Sequence, residues 1–257
     1  MIEILSPTQI ERARVTGRLV GNTLHTLKSQ SQVGTNLLEL DEWAKKMIHD
    51  AGATSCYVDY APSFGSGPFG HYLCTAVNDA VLHGMPHDYA LENGDLVTLD
   101  LAVKKDGVAS DAAISFIVGT KRAPEDEAMI TATEEALAAA IKAARPGARL
   151  GDLSSVIGKS LTDAGYLINM EYGGHGIGST MHQDPHVANN GRPGRGYKLR
   201  PGLLLALEPW VMQDTDQLIT DPRDGWTLRS ATGARTAHSE HTIAITDDGA
   251  EILTLPR

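Results

Sequence analysis

With 257 residues, 42% hydrophobic and 21% charged, the chain has the composition of a soluble globular protein, with room for one large domain or two fused halves. A formal net charge of −10 argues against nucleic acid as a partner, because phosphate binding wants a basic surface. Cys56 and Cys74 are too few for a disulfide framework, and neither a signal peptide nor an uninterrupted apolar span of ~18 residues is present, so the expected location is the cytoplasm with no membrane contact.

Along the chain, Ser6-Pro7 reads as a helix start, followed by apolar positions at Ile10, Val15, Leu19 and Leu24. A second helix is expected from Leu37, ending near Gly52. Residues 57–86 are rich in Gly, Pro and aromatics and read as strands and loops. The run GDLVTLDLAVKKDGVASDAAISFIVGT reads as a β-hairpin. Next come an Ala-rich helix with an acidic first turn and a basic last turn, and a helix in GDLSSVIGKSLTDAG expected to be capped by Asp152. Residues 169–255 return to strands and loops. Helices then strands, twice over, predict an α+β fold: one catalytic domain over 1–257, built from pseudo-symmetric halves of about 1–124 and 125–257 around a mixed or antiparallel sheet.

Five side chains stand in apolar or Gly-rich stretches that read as buried: Asp100, Asp111, His175, Glu208 and Glu240. No Lys or Arg stands beside them, and an unpaired buried charge costs several kcal/mol or neutralises. In the hairpin, Asp100 and Asp111 share a face. They stand opposite each other if Lys105-Asp106 is the loop, about 5 Å apart, and diagonal if Asp106-Gly107 is, about 7–8 Å apart. Four carboxylates and an imidazole suit a pair of divalent cations.

Six segments in order then identify a family: NDAVLHGMP, TLDLAV with ASDAA, GGHGIG, MHQDP, LLALEPWV and SEHTIAITDDG. The chain resembles the type I methionine aminopeptidases over essentially its whole length. The resemblance implies the pita-bread fold, with a curved, mostly antiparallel sheet and helices on its outer face. It implies two divalent ions (cobalt, manganese, iron or zinc) on Asp100, Asp111, His175, Glu208 and Glu240, with Asp111 and Glu240 bridging. It also implies a monovalent cation near Asn78. His83, His182 and Glu208 would be catalytic. The substrates would be the N-termini of peptides and nascent proteins, met by a monomer in transient contact with the ribosome.

Several positions depart from the family pattern. SFGSGPFGHYLC replaces a Tyr-containing Gly-Tyr-Pro stretch and offers Phe64, Phe69 and Tyr72 as pocket aromatics. Met181 stands where phenylalanine is common, and His238 replaces a frequent glutamine. Substrate contacts are therefore expected from His83, His182, Phe69, Met181 and Trp226. Alternative readings are an Xaa-Pro peptidase of the same fold and a catalytically silent binding module.

Overall fold

The structure, a computed structural model, describes residues 2–63 and 65–257, so Phe64 lies outside the described residues. Helix α1 (Pro7–Gln30) starts where Ser6-Pro7 predicts, with the Ser6 hydroxyl accepting the Gln9 N–H and the Gln9 carboxamide accepting the Ser6 N–H. Its buried stripe runs through Ile10, Ala13, Val20, Leu24 and Leu27. Val15 lies off that stripe and is 41% exposed, and Leu19 only flanks it. Helix α2 (Leu37–Asp50) is capped by Asn36 and Glu39, and its chain reverses at Gly52, whose φ of +62° is the left-handed conformation glycine tolerates.

Five strands follow, two of them forming the hairpin: β1 (Thr54–Ser55), β2 (Cys74–Val77), β3 (Ala80–Leu82), β4 (Leu96–Lys105) and its return strand β5 (Val108–Ile117). Asp106 and Gly107 form the hairpin loop, both with positive φ, 50° and 85°, as a twist-matched two-residue turn requires. That loop fixes the register: Asp100 pairs with Ala113 and Asp111 with Ala102, so the two aspartates are diagonal neighbours on one face.

Helices α3 (Pro124–Ala143) and α4 (Leu150–Asp163) come next. The expectation for Asp152 needs correcting: α4 begins two residues before it. Asp152 sits in the first turn and accepts the Arg149 N–H, while Arg149 holds the cap position. The remaining strands are β6 (Gly173–Gly176), β7 (Gln183–Ala188), β8 (Leu204–Leu207), β9 (Trp210–Met212), β10 (Leu218–Thr220), β11 (Leu228–Ser230), β12 (Thr236–His238), β13 (His241–Thr246) and β14 (Gly249–Ile252).

All strand pairs among the described residues are antiparallel, divided over four hydrogen-bonded sheets. In the first half β1 and β2 share one edge of β4 and β5 takes the other; in the second the order is β14-β13-β8-β6-β7. Two cores correspond to these ladders. Val20, Leu24, Leu37 and Leu40 pack helices α1 and α2 against Val97, Leu99 and Leu101. Met129, Leu137, Leu153 and Ile157 pack α3 and α4 against Leu205, Leu207 and Ile243. Burying each such side chain contributes about 1.5–3 kcal/mol.

Hydrogen bonds join the halves where β5 meets the chain around β12 and β13. The Thr242 hydroxyl accepts the Asp111 N–H at 2.9 Å and donates to the Asp111 carbonyl at 2.7 Å. The Glu240 N–H donates to the Ala113 carbonyl. Ser115 donates its hydroxyl to the His238 carbonyl and accepts the His238 N–H, so the 2.7 Å contact with Thr98 is donated by Thr98. Thr242→Val keeps the side-chain shape but leaves two buried backbone groups unsatisfied. It should cost about 1–3 kcal/mol, read as a lower denaturant midpoint with an unchanged slope.

Candidate metal centre and substrate cavity

The five residues singled out by sequence converge across this seam. Asp100 and Asp111 project from β4 and β5, His175 from β6, Glu208 from the end of β8, and Glu240 from the link between β12 and β13. Ligand-grade atoms lie within 4.8 Å of one another in Asp100, Asp111 and Glu240, and again in His175, Glu208 and Glu240. Glu240 belongs to both groups. A third such group joins Asp111, His175 and His182. The His175 Nε2 lies 3.7 Å from Glu208 Oε1 and 4.0 Å from Asp111 Oδ2.

Local sequence explains the positions. β6 lies between β7 and β8 so closely that a Cβ on Gly174 would stand 2.4 Å from the Ala206 carbonyl oxygen, and one on Gly176 would stand 2.1 Å from that of Asp184. Only glycines flanking His175 allow that spacing. The His175 Nδ1 faces the Gly176 carbonyl at 3.0 Å; donating there, the ring leaves Nε2 as a bare acceptor towards the carboxylates. Burial pushes His175 down to about 3, which keeps the ring neutral.

The electrostatics point to a cation. Burial, then Asp100, raises Glu208 to about 8, and burial raises Asp100 to about 6. Asp111 and Glu240 are pushed well above the carboxylate range, by burial first and by neighbouring carboxylates second. Glu240 Oε1, in a residue 3% exposed, finds no hydrogen-bond partner among the described residues. Crowded buried carboxylates, an orphaned oxygen and a neutral imidazole are the donor set that divalent ions take. The residues present therefore fit the metal pair that their types imply.

Opposite the acids lies the rest of a cavity of ≈ 240 Å³, lined by Phe69, Met181 and Trp226 as expected, with His83 and His182 beside them. Trp226 is held by its loop, its N–H donating to Asp224, and the space over the indole is kept by Gly65, where a Cβ would meet the ring at 2.5 Å. His83 is half-buried at φ +55° and packs edge-on against Tyr172 and Trp226; desolvation lowers it to about 4. His182 stands edge-on to His175 with ring centroids 4.4 Å apart, and its Nδ1 meets the Tyr60 hydroxyl at 2.9 Å.

Sequence reasoning missed the tyrosines. Tyr57, Tyr60 and Tyr172 all line the cavity, whereas Tyr72, counted among the pocket aromatics, packs against His49. The signal for two of them was present in CYVDY, a pair of tyrosines three residues apart just after β1. Cys74 is buried in the cavity lining, paired through β2 with Asp100, and burial pushes its thiol up. Both cysteines are free. Asn78 spends its side chain on the loop: its carbonyl oxygen accepts the Leu96 N–H and its amide donates to Asp95.

A helix-backed, antiparallel scaffold presenting clustered carboxylates and histidine at one cavity defines a metallohydrolase of the pita-bread class. The metallopeptidase family M24 model matches residues 11–247, and the chain belongs to that family, among its methionine aminopeptidases. It is 41% identical over 256 residues to the methionine aminopeptidase of Clostridium perfringens, covering 99% of each chain. The crystal structure of the Thermotoga maritima methionine aminopeptidase superposes with a TM-score of 0.93 at 34% identity, over 99% of this chain and 100% of that one. The prolidase of Pyrococcus horikoshii shares the fold at a TM-score of 0.75 and 21% identity, and this chain covers 64% of its length. No helix is long and apolar enough to cross a membrane among the described residues.

The pH dependence of the metal-free protein follows. Carboxylates whose folded pKa is raised give stability that is complete below about 4 and is lost as pH rises through the folded value. Buried histidines with lowered pKa oppose this only up to about 6.5, where the unfolded imidazole has lost its proton. Above that only the acids act, Glu208 at about 8 among them. Thermal melts of metal-free protein should therefore fall from pH 6.5 to 8, and saturating Mn²⁺ should abolish the fall. A flat metal-free profile would contradict the reading.

Proposed function

We propose that the chain removes N-terminal methionine from peptides and newly made proteins by metal-dependent hydrolysis. The observation that carries this is the meeting of the five donor residues with an aromatic-walled cavity across the seam of the two halves. The names of the relatives support it. Asp100, Asp111, His175, Glu208 and Glu240 would hold two divalent ions, of cobalt, manganese, iron or zinc, and a monovalent cation would sit by the Asn78 loop. We read residues 1–257 as one catalytic domain of halves 1–124 and 125–257, working as a cytoplasmic monomer that meets nascent N-termini at the ribosome.

When bound, the ions supply an acidified water and Lewis-acid polarisation of the scissile carbonyl. The chain's own groups do the rest. Glu208 holds the proton taken from the attacking water on its carboxylate and passes it to the leaving nitrogen. His182 donates a hydrogen bond to the scissile carbonyl oxygen, where negative charge develops; with the Tyr60 hydroxyl donating to Nδ1, the ring's proton sits on Nε2 for this purpose. His83 steadies the leaving amide nitrogen. Phe69, Met181 and Trp226 enclose the substrate's first side chain and exclude water.

Metal-stripped protein given Mn²⁺ or Co²⁺ is tested on Met-Ala-Ser, Leu-Ala-Ser and Ala-Pro-Ala. Methionine release that requires metal is the expected outcome. Preferential cleavage of Ala-Pro-Ala would replace the reading with an Xaa-Pro peptidase, and tight metal binding without cleavage would leave a binding module. In the same assay Asp111→Asn should lose metal and activity together, whereas His182→Ala should keep its metal and lose ~10²–10⁴-fold in kcat. Metal loss in His182→Ala would place that ring among the ligands.

A further inference from the structure

Tyr57 has no part in the mechanism above, yet it touches the centre directly. The residue follows β1, where the Cys56 N–H donates to the Ala102 carbonyl and the Tyr57 N–H to the Ser55 hydroxyl, so the backbone at its root is pinned. It is 6% exposed, and its ring packs edge-on against Phe69 with centroids 5.8 Å apart. Its hydroxyl lies 2.6 Å from Asp100 Oδ1 and 3.2 Å from Asp111 Oδ1.

A phenol carries one proton, and an O–H···O⁻ bond is shortest where that proton is given. The distances assign it to Asp100. The residues facing Asp100 across the ladder are Cys74 and Ala113, which offer it no hydroxyl or amide side chain. Tyr57 is thus the group that sets the rotation of the Asp100 carboxylate. The Tyr57 hydroxyl bonds Asp100 and Asp111, whereas His175 stands among Glu208, Asp111, His182 and the Gly176 carbonyl.

We propose that Tyr57 is a positioning residue for the metal centre: its hydroxyl donates to Asp100 and fixes the rotation of that carboxylate, so that the Asp100–Asp111–Glu240 position depends on Tyr57 more than the His175–Glu208–Glu240 position does. The two positions then differ in affinity through a residue that ligates neither. This rests on the two-metal reading above.

The test is calorimetric titration of metal-stripped full-length protein with Mn²⁺, wild type against Tyr57→Phe. It is paired with Co²⁺ absorption and with a melt of the metal-free proteins. Phenylalanine keeps the packing on Phe69 and removes one oxygen, so the variant should still melt cooperatively, with a midpoint lowered by no more than the loss of one buried hydrogen bond implies. The wild type should take two ions. The variant should bind one as the wild type does and the other 10–100-fold more weakly, the usual effect of removing a group that orients a ligand, with the Co²⁺ d–d bands of that second ion altered. Superimposable isotherms would reduce Tyr57 to a packing residue and overturn the proposal, as would equal weakening of both ions. A visible tyrosinate-to-metal band in Fe³⁺-loaded wild type would overturn it in favour of direct ligation, whether or not the variant folds. Failure of the wild type to bind metal at all would instead remove the two-metal reading, and the proposal with it.

Discussion

Four carboxylates gathered in a protein interior repel one another, and the rest of this structure is arranged around that repulsion. The acids come from β4, β5, the end of β8 and the approach to β13, so neither half contains the full set. What keeps them together without an ion is backbone: the Asp111 peptide clasped at both ends by Thr242, the Glu240 N–H on Ala113, and the Thr98–Ser115–His238 run of hydroxyl and peptide groups. These bonds fix main-chain position and leave the carboxylates free to meet a cation. Burial first, and the neighbouring Asp100 second, still hold Glu208 above the ordinary carboxylate range.

The second wall of the cavity follows a different logic. Its aromatic groups are positioned by loops rather than strands: Asp224 takes the N–H groups of Trp226 and Thr227, and the Asp221 carboxylate is shared by Arg223 and Arg229 at the base of the same loop. Charge pairing at a loop base and a glycine facing the indole set the depth of the pocket. The cavity thus joins an acidic wall carried largely on strands to an apolar wall built from loops.

Much of this was legible in the sequence because the ligands break local patterns that are otherwise regular. An acid in an apolar strand, a histidine among glycines and a glutamate ahead of proline each violate what a core wants. The hairpin even restricted Asp100 and Asp111 to two geometries, and the loop dihedrals at Asp106 and Gly107 selected the diagonal one. What escaped depended on contacts distant in the chain. Nothing beside Tyr57 in sequence reveals that its hydroxyl reaches residues 43 and 54 positions away. Val15, apolar like its neighbours, sits at an angle on the helix that turns it towards solvent, which its residue type alone does not reveal. The α4 start was missed because a capping acid three residues into a helix looks, in sequence, like one at its head.

The reach of the seam has a consequence for the order in which the molecule matures. Glu240 belongs to both clusters of ligand atoms, and its place is fixed only when the link into β13 docks on β5. A chain emerging from synthesis can form its first core, complete with hairpin and both aspartates, long before that strand exists. Until then it has half a cage and no partner for it. The five-donor cluster is therefore completed only by the last strands of the chain to be made.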